Sequence, residues 1–434
     1  MIIKVAYDIS VLGRCFTNPA SRTGLYRVIG EILQELNKKP DIKLTSMGLC
    51  DPKVVFGSEL SSLYIKYFRN DLQLDFVDAY QSRFGLKDFY HNLIELQYTQ
   101  DSSKTSKSSG VYKLIRGLLK LASYLQYIDG YNVFDPNCYD VFHSPYFKLP
   151  PIALTRNLSR VLTIYDLIPV KYPEFSSRVI DNIFKQILES IDYEKDWIIC
   201  ISDYTKNEFC EYTKMAEERV LVTPLAASCH FYPVQENSVI IETKSRYNIP
   251  EGEYFLSLAS FQPRKNFAHL ITSFFDFVSE YDYKNLYLVI VGEKGWNYEQ
   301  IYSSANINEK LKSRIIFTGY VPDEDLSSIY SGARGFIFPS LAEGFGLPVL
   351  EAMQCGVPVI CSNTTSLPEV VADASILIDP TNKDELCQAM LSLMSDSLLG
   401  SSLRVKGLQR AKKFSWAKCA DETVKVYQKA VNSK

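Results

Sequence analysis

Two Rossmann-like α/β domains in tandem are the fold class that this sequence predicts, and three observations predict it. Short, uniformly apolar runs of strand length alternate with amphipathic helical segments almost throughout. That is the pattern of parallel strands covered by helices on both faces. The runs fall into two blocks, split by a strand-poor stretch at residues 230–253. The chain of 434 residues is also too long for a single core, because domains average roughly 150 residues.

Taken in order, the first block has candidate strands at 2–7, 141–143, 160–165, 197–201 and 220–223, with helices at 24–36 and 202–212. The second has strands at 254–259, 286–291, 314–318, 335–338, 357–361 and 376–378, with helices at 266–279 and 323–330. A boundary near residue 235 gives domains at 1–235 and 236–414. Segments 383–394, 401–413 and 416–431 are helical patterns without strands. The last is long enough to pack on the other domain, so 415–434 is set apart as a C-terminal helix.

Composition narrows the class. Aromatics at 13% exclude a wholly disordered chain. Lys and Arg (47) nearly balance Asp and Glu (50), so net charge carries no sign of nucleic-acid binding. No apolar run reaches transmembrane length, and the charged, short N-terminal stretch reads as a first strand, not a signal peptide. Ten scattered cysteines without a C-x-x-C pair suit a reducing cytoplasm. A cytoplasmic protein is expected.

Residues 50–138 interrupt the first block and match no motif. They include the low-complexity loop 102–109 and a helical pattern at 112–128. Lys113, Arg116 and Lys120 share one face of that helix, and Leu114, Ile115, Leu118, Leu119, Ala122 and Leu125 form another. Residues 102–128 carry five basic residues and no acidic one. Such a helix suits an anionic membrane surface, or else packs on its own domain with a solvated basic side.

Chemistry concentrates in the second block. Phe338-Pro-Ser-Leu-Ala-Glu343-Gly-Phe-Gly-Leu-Pro-Val-Leu-Glu351 leaves a strand, turns through glycines and enters a helix. Pro348 near the start of that helix and Gly356 after its end obey the usual asymmetry of helix termini. Glu343 then lies in the loop beside the free N–H groups of Gly344, Phe345, Gly346 and Leu347, and Glu351 lies about one turn into the helix. A carboxylate suits a vicinal diol, and helix N–H groups suit sugar oxygens and phosphates. Upstream, Arg264 and Lys265 sit where Asn266 can cap the next helix. Cations are disfavoured at a helix start unless an anion is held there, which points to a diphosphate.

These pieces fall into a known order. Arg264-Lys265-Asn266, Gly319-Tyr-Val-Pro-Asp323, the Glu343–Glu351 pair and Ser362-Asn-Thr-Thr-Ser-Leu-Pro-Glu369-Val resemble the retaining nucleotide-sugar glycosyltransferases of the GT-B fold, family 4. In the first block Val141-Phe-His143-Ser-Pro-Tyr146, Thr163-Ile-Tyr-Asp166-Leu-Ile-Pro169 and Ile201-Ser202 also match. Leu-Pro-Glu-Val and Asp-Leu-Ile-Pro together are similar to bacterial mannosyltransferases that build O-antigen or capsule chains. The chain departs from the family pattern in keeping only Gly24 of a Gly-rich turn, in Arg22-Thr-Gly-Leu25, and in having Tyr165-Asp166 where His-Asp is common.

The resemblance implies two domains facing each other across a cleft, with the acceptor on the first and the nucleotide-sugar donor on the second. GDP-mannose is the first candidate donor, and a glycan or lipid-linked glycan the acceptor. It implies that Arg264 and Lys265 hold the donor diphosphate, that Glu351 takes the ribose hydroxyls, and that Glu343 with the N–H groups of Phe345, Gly346 and Leu347 holds the sugar. His143 would face the donor sugar and Asp166 would position the acceptor hydroxyl. Gly24 would let the first-domain backbone approach the diphosphate. Without the resemblance, His143 reads as a core histidine and Asp166 as a loop cap.

No cofactor and no metal are expected, because the protein's cations do the work of a metal. Asp323-Glu-Asp325 formally makes D-x-D, but it reads as the capped start of a helix. The four histidines form no ligand-spaced cluster. A glycosidase would leave the basic pair without purpose, and a dinucleotide oxidoreductase lacks its G-x-G-x-x-G. A GT-B-like sugar-nucleotide epimerase, another UDP-sugar-dependent transferase and a non-catalytic sugar-nucleotide-binding module remain as alternatives.

Overall fold

The computed structural model describes residues 2–17, 24–49, 56–69, 72–102, 110–132, 134–292, 299–306 and 308–433. Strands β1 (Ile3–Asp8), β2 (Ile42–Gly48) and β3 (Asp75–Asp78) are followed by a separate antiparallel pair, β4 (Tyr80–Ser82) and β5 (Gly130–Asn132). Then come β6 (Val141–Ser144), β7 (Ser159–Ile164), β8 (Trp197–Cys200) and β9 (Val220–Val222). The first sheet is wholly parallel, in the order β3-β2-β1-β6-β7-β8-β9.

The second sheet uses β10 (Glu253–Leu258), β11 (Leu286–Val291), β12 (Ile315–Gly319), β13 (Gly335–Phe338), β14 (Val359–Ser362) and β15 (Ser375–Ile378). It is also parallel, in the order β12-β11-β10-β13-β14-β15. Every residue of β6, β7, β8, β13 and β14 is buried, as strands covered on both faces require.

The apolar-run reading missed β2 and β3. β2 reads Ile-Lys-Leu-Thr-Ser-Met-Gly, and its polar Thr45 and Ser46 are nonetheless buried inside the sheet. β3 is only Asp-Phe-Val-Asp at the sheet edge. Neither is a continuous apolar run.

Each sheet reverses direction of growth once, between β1 and β6 in the first and between β10 and β13 in the second. Open α/β sheets bind ligands at the carboxyl ends of strands beside such a reversal. The fold therefore places the candidate site before any side chain is considered.

The helix Trp416–Asn432 follows the second sheet in sequence but packs on the first domain, against the helix Leu25–Asn37 and β6–β8. The Ser159 hydroxyl donates to the Ala430 carbonyl at 2.8 Å. One apolar cluster runs from β1 and Leu25–Asn37 through Trp416, Val424 and Tyr427 into the second domain. This helix ties the two halves together.

Within 50–138, helices Gly57–Phe68, Lys87–Ser102 and Gly110–Asp129 share a separate apolar cluster that includes Phe16, Leu63, Tyr90, Ile94, Ile115 and Leu119. The apolar face expected on the last helix is split. Ile115, Leu119 and Ala122 turn inward, whereas Leu114, Leu118 and Leu125 are exposed with Val111, Leu121 and Tyr124. Lys113, Arg116 and Lys120 are exposed as well. Loop residues 103–109 lie outside the described residues. No described helix is long and apolar enough to cross a membrane.

Candidate active site

The carboxyl ends of β10 and β13 flank the reversal of the second sheet, and each carries part of the basic–acidic cluster. β10 leads through Ser260 into the turn Pro263–Lys265, and β13 leads through Ser340 to Glu343. The Leu341 N–H donates to the Arg264 carbonyl at 2.8 Å and locks the two loops together. Asn266 does not cap as expected. It is itself left-handed at φ 60°, and its side-chain N–H donates to the Pro380 carbonyl at 2.7 Å. The following helix starts without a side-chain cap.

Glu343 is 8% exposed and fully engaged. Its Oε2 lies 2.7 Å from Arg264 Nη1, and its Oε1 accepts from Lys265 Nζ and, at 2.6 Å, from the Ser340 hydroxyl. Its backbone N–H donates to Thr365 Oγ1 at 3.1 Å. Burial alone would raise its pKa, but Arg264 and Lys265 outweigh it and bring the carboxyl down to about 2. Burial lowers Lys265 to about 8, with Arg264 adding repulsion and Glu343 opposing both. Arg264 also donates to the Ala342 carbonyl at 2.9 Å. Two cations meet one carboxylate on this largely desolvated cleft wall, and both also feel Asp166 of the first domain.

Beyond Glu343 the chain turns through glycines for steric reasons. A side chain at Gly344 would place its Cβ 2.0 Å from the Tyr165 carbonyl oxygen of the first domain. Gly346 has φ 101° and precedes the helix Leu347–Gln354, in which Pro348 occupies the first turn. Gly356, left-handed at φ 72°, follows its end. Among the described residues, the N–H groups of Phe345, Gly346 and Leu347 donate to no protein acceptor. They are available to a ligand, as helix starts are.

Glu351, in that helix, is not a solvated surface residue. It is 4% exposed, and it accepts from Arg27 Nη1 at 2.7 Å and from the Tyr330 hydroxyl at 3.2 Å. Burial raises its pKa, and Arg27 partly offsets this. Arg27 comes from the first domain and also pairs with Asp323 at 2.9 Å. The Asp323-Glu-Asp325 segment starts the helix Asp323–Ser331 as expected, but it does not cap it. Pro322 holds the cap position without a side-chain bond, and Asp325 takes Arg246 at 2.7 and 2.8 Å.

A cleft of about 580 Å³ joins these groups, within the usual range for ligand sites. Gly24, Tyr146, Asp166 and Ile201 line it from the first domain, and Arg264, Lys265, Glu343–Leu347 and Glu351 line it from the second. Gly24, at φ 55°, starts the helix Leu25–Asn37, while Arg22 and Thr23 lie outside the described residues. The Asp166 carboxylate accepts from the Ile168 N–H at 3.0 Å. Burial raises its pKa, and Arg264 from the opposite domain is the chief opposing influence. Away from the ligand-lining residues, Glu369 accepts from the N–H groups of Asp203 and Tyr204, both at 3.1 Å.

His143 is the exception. It is 2% exposed, with Nδ1 2.6 Å from the Tyr427 hydroxyl and Nε2 2.9 Å from Thr163 Oγ1. Both nitrogens are satisfied inside the interface with the C-terminal helix, and burial lowers its pKa to about 3. It does not line the cleft. The expectation that it faces the donor is corrected to a neutral core histidine.

Sequence reasoning missed Arg27, Tyr330, Ser340 and Thr365. Arg27 was findable, since it is a cation in the first turn of a helix, the same anomaly that singled out Arg264 and Lys265. The other three carry no local signal.

Two facing Rossmann-like domains, with a cation–carboxylate cluster and a free helix start at the strand ends, have the architecture of the GT-B fold. Residues 239–414 match the family model for glycosyl transferases group 1. The O-antigen chain mannosyltransferase B of Escherichia coli is 33% identical over 290 residues, 66% of this chain and 74% of that protein. The chain belongs to the group 1 glycosyltransferase family. The serotype-specific mannosyltransferase WbdA of Escherichia coli is 32% identical over 277 residues, 63% of this chain and 34% of its own length. In fold, Anabaena HepE, solved in complex with UDP and glucose, superposes with a TM-score of 0.63 at 13% identity over 98% of this chain and 100% of that one.

Proposed function

We propose that this enzyme transfers a hexosyl group, mannose first among candidates, from a nucleoside-diphosphate sugar to a glycan or lipid-linked glycan, retaining the anomeric configuration. The cluster of Arg264 and Lys265 around Glu343 carries this reading. Negative charge develops on the diphosphate as the glycosidic bond breaks, and prepositioned desolvated cations stabilise it most at that moment. Arg264 and Lys265 attract the diphosphate, and Glu343 beside the free N–H groups of Phe345–Leu347 contacts the sugar. Glu351 takes the ribose diol. Asp166, across the cleft, orients the acceptor hydroxyl, whose proton passes to a departing phosphate oxygen on the same face. In this scheme the protein cations supply the charge that a divalent ion would supply, so turnover without added metal is part of the proposal. The mannosyl assignment rests on the names of the relatives, and the nucleotide on HepE.

The test is incubation with GDP-mannose and with UDP-sugars, followed by NMR of the product's anomeric coupling. Retained configuration supports the reading, and inversion rejects it. Turnover abolished by a chelator removes the metal-independent part.

The same reading places the enzyme on an anionic membrane through the helix Gly110–Asp129. Val111, Leu114, Leu118 and Leu121 are exposed beside Lys113, Arg116 and Lys120. Each cation near an anionic surface is worth about 1 kcal/mol, fading within a Debye length, and exposed apolar side chains add to that. Sedimentation with anionic vesicles at low salt should show binding that is weakened when the three cations are replaced together by Gln. If the wild-type protein ignores such vesicles, the helix is ordinary surface.

A further inference from the structure

Both carboxylate oxygens of Glu351 are already occupied. Oε1 accepts from Arg27 at 2.7 Å and Oε2 from Tyr330 at 3.2 Å, and the side chain is only 6% exposed. Each oxygen could accept a second bond, but with the side chain this buried a ribose diol crowds the donors already there. Tyr330 is fixed in its ring, and its hydroxyl can turn from Glu351 to the Pro348 carbonyl, 3.4 Å away. It is fully buried in the same domain as Glu351, with its ring against Phe231 and Phe336.

Arg27 is the movable one, because it reaches across from the first domain. Its second partner, Asp323, is a 38% exposed carboxylate, so the guanidinium can leave Glu351 and stay paired. Its Nε–H is buried without an acceptor, so the guanidinium is held where its donors are not all satisfied. The Phe231 ring, 5.5 Å from the guanidinium carbon, offers an apolar rest beside it.

We propose that Arg27 is a displaceable clasp on the ribose site. The donor's ribose exchanges with Arg27 on Glu351, and Arg27 withdraws onto Asp323. This rests on the assignment of Glu351 to the ribose. Binding then loosens one tie between the domains while Glu369 still holds Asp203 and Tyr204. When nucleoside diphosphate is the ligand left in the site, the returning clasp competes with it and favours its departure. Arg27 is a positioning residue, and it sets how much of the ribose contact appears as affinity.

The test compares wild type with Arg27→Ala and Arg27→Gln by titration calorimetry at several pH values, because burial raises the Glu351 pKa and removing Arg27 takes away the influence that opposes it. The probes are GDP and UDP and their 2′,3′-dideoxy forms. The readout is the dideoxy-to-ribo ratio of Kd, which isolates the diol from the diphosphate. That ratio should grow in both variants by about fivefold or more, the size of an ordinary coupling between two ligands. The Gln variant fills the site without charge and keeps the test standing if the Ala variant does not fold. A wild-type ratio above one that is unchanged in the variants makes Arg27 merely structural, and one that shrinks makes Arg27 a support for Glu351. Either overturns the clasp and leaves the ribose assignment intact. A ratio of one in all three proteins overturns the ribose assignment and the clasp together.

Discussion

Replacing Glu343 by Gln tests the central cluster, because it removes one charge and keeps the shape. The carboxyl falls from 4.5 to about 2 in the folded protein through Arg264 and Lys265, despite burial that pushes it up. That difference corresponds to about 3 kcal/mol of stability near neutral pH. A depressed folded pKa contributes stability above 4.5, which is lost as pH falls toward 2. At about pH 3 less than half of it should remain. Lys265 acts in the opposite sense. Its folded pKa of about 8 lies below 10.5, so its cost is present at neutral pH and is relieved between those values. The buried Lys265 therefore offsets part of what Glu343 contributes at neutral pH, and removing one partner leaves the other's charge buried and less compensated. Thermal unfolding at neutral pH and near pH 3 should show a destabilised Glu343→Gln protein whose deficit shrinks in acid. Nucleoside-diphosphate affinity should hold or rise, because the cations are freed, while kcat falls on the order of a hundredfold. Equal stability at neutral pH, or a deficit that persists undiminished in acid, would refute this account of the cluster.

Arg264→Ala should weaken nucleoside diphosphate and sugar nucleotide alike and slow turnover. Unchanged affinity by calorimetry would remove it from the phosphate site. Nucleoside-diphosphate affinity of the wild type should decline as pH rises through about 8, where Lys265 loses its proton, and Lys265→Met should flatten that profile. Gly344→Ala forces a methyl group to 2.0 Å from the Tyr165 carbonyl. It should raise KM and lower kcat by separating the domains, whereas Gly400→Ala, in open space on a helix, should do neither. His143→Leu strands the Tyr427 and Thr163 hydroxyls and should cost about 1–3 kcal/mol, with donor KM unchanged. A selective rise in donor KM would restore His143 to the cleft.

The chain's own residues determined the tandem α/β architecture, because continuous apolar strands and amphipathic helices are local patterns that burial on both sheet faces demands. They also marked Arg264, Lys265, Glu343 and Glu351, since charges at helix starts and glycine turns are anomalies visible over a few positions. β2 and β3 stayed hidden because their burial comes from neighbours, not from their own hydrophobicity. The partners of the site were illegible for the same reason. Arg27 meets Glu351 across 324 positions, and Tyr427 meets His143 across 284. No local spacing encodes such distances. Only the packing of Trp416–Asn432 on the first domain and the approach of Gly344 to Tyr165 turned His143 into core and Arg27 into a cleft residue. Periodicity sets what a segment must bury, but the tertiary structure decides which charge it meets when it does.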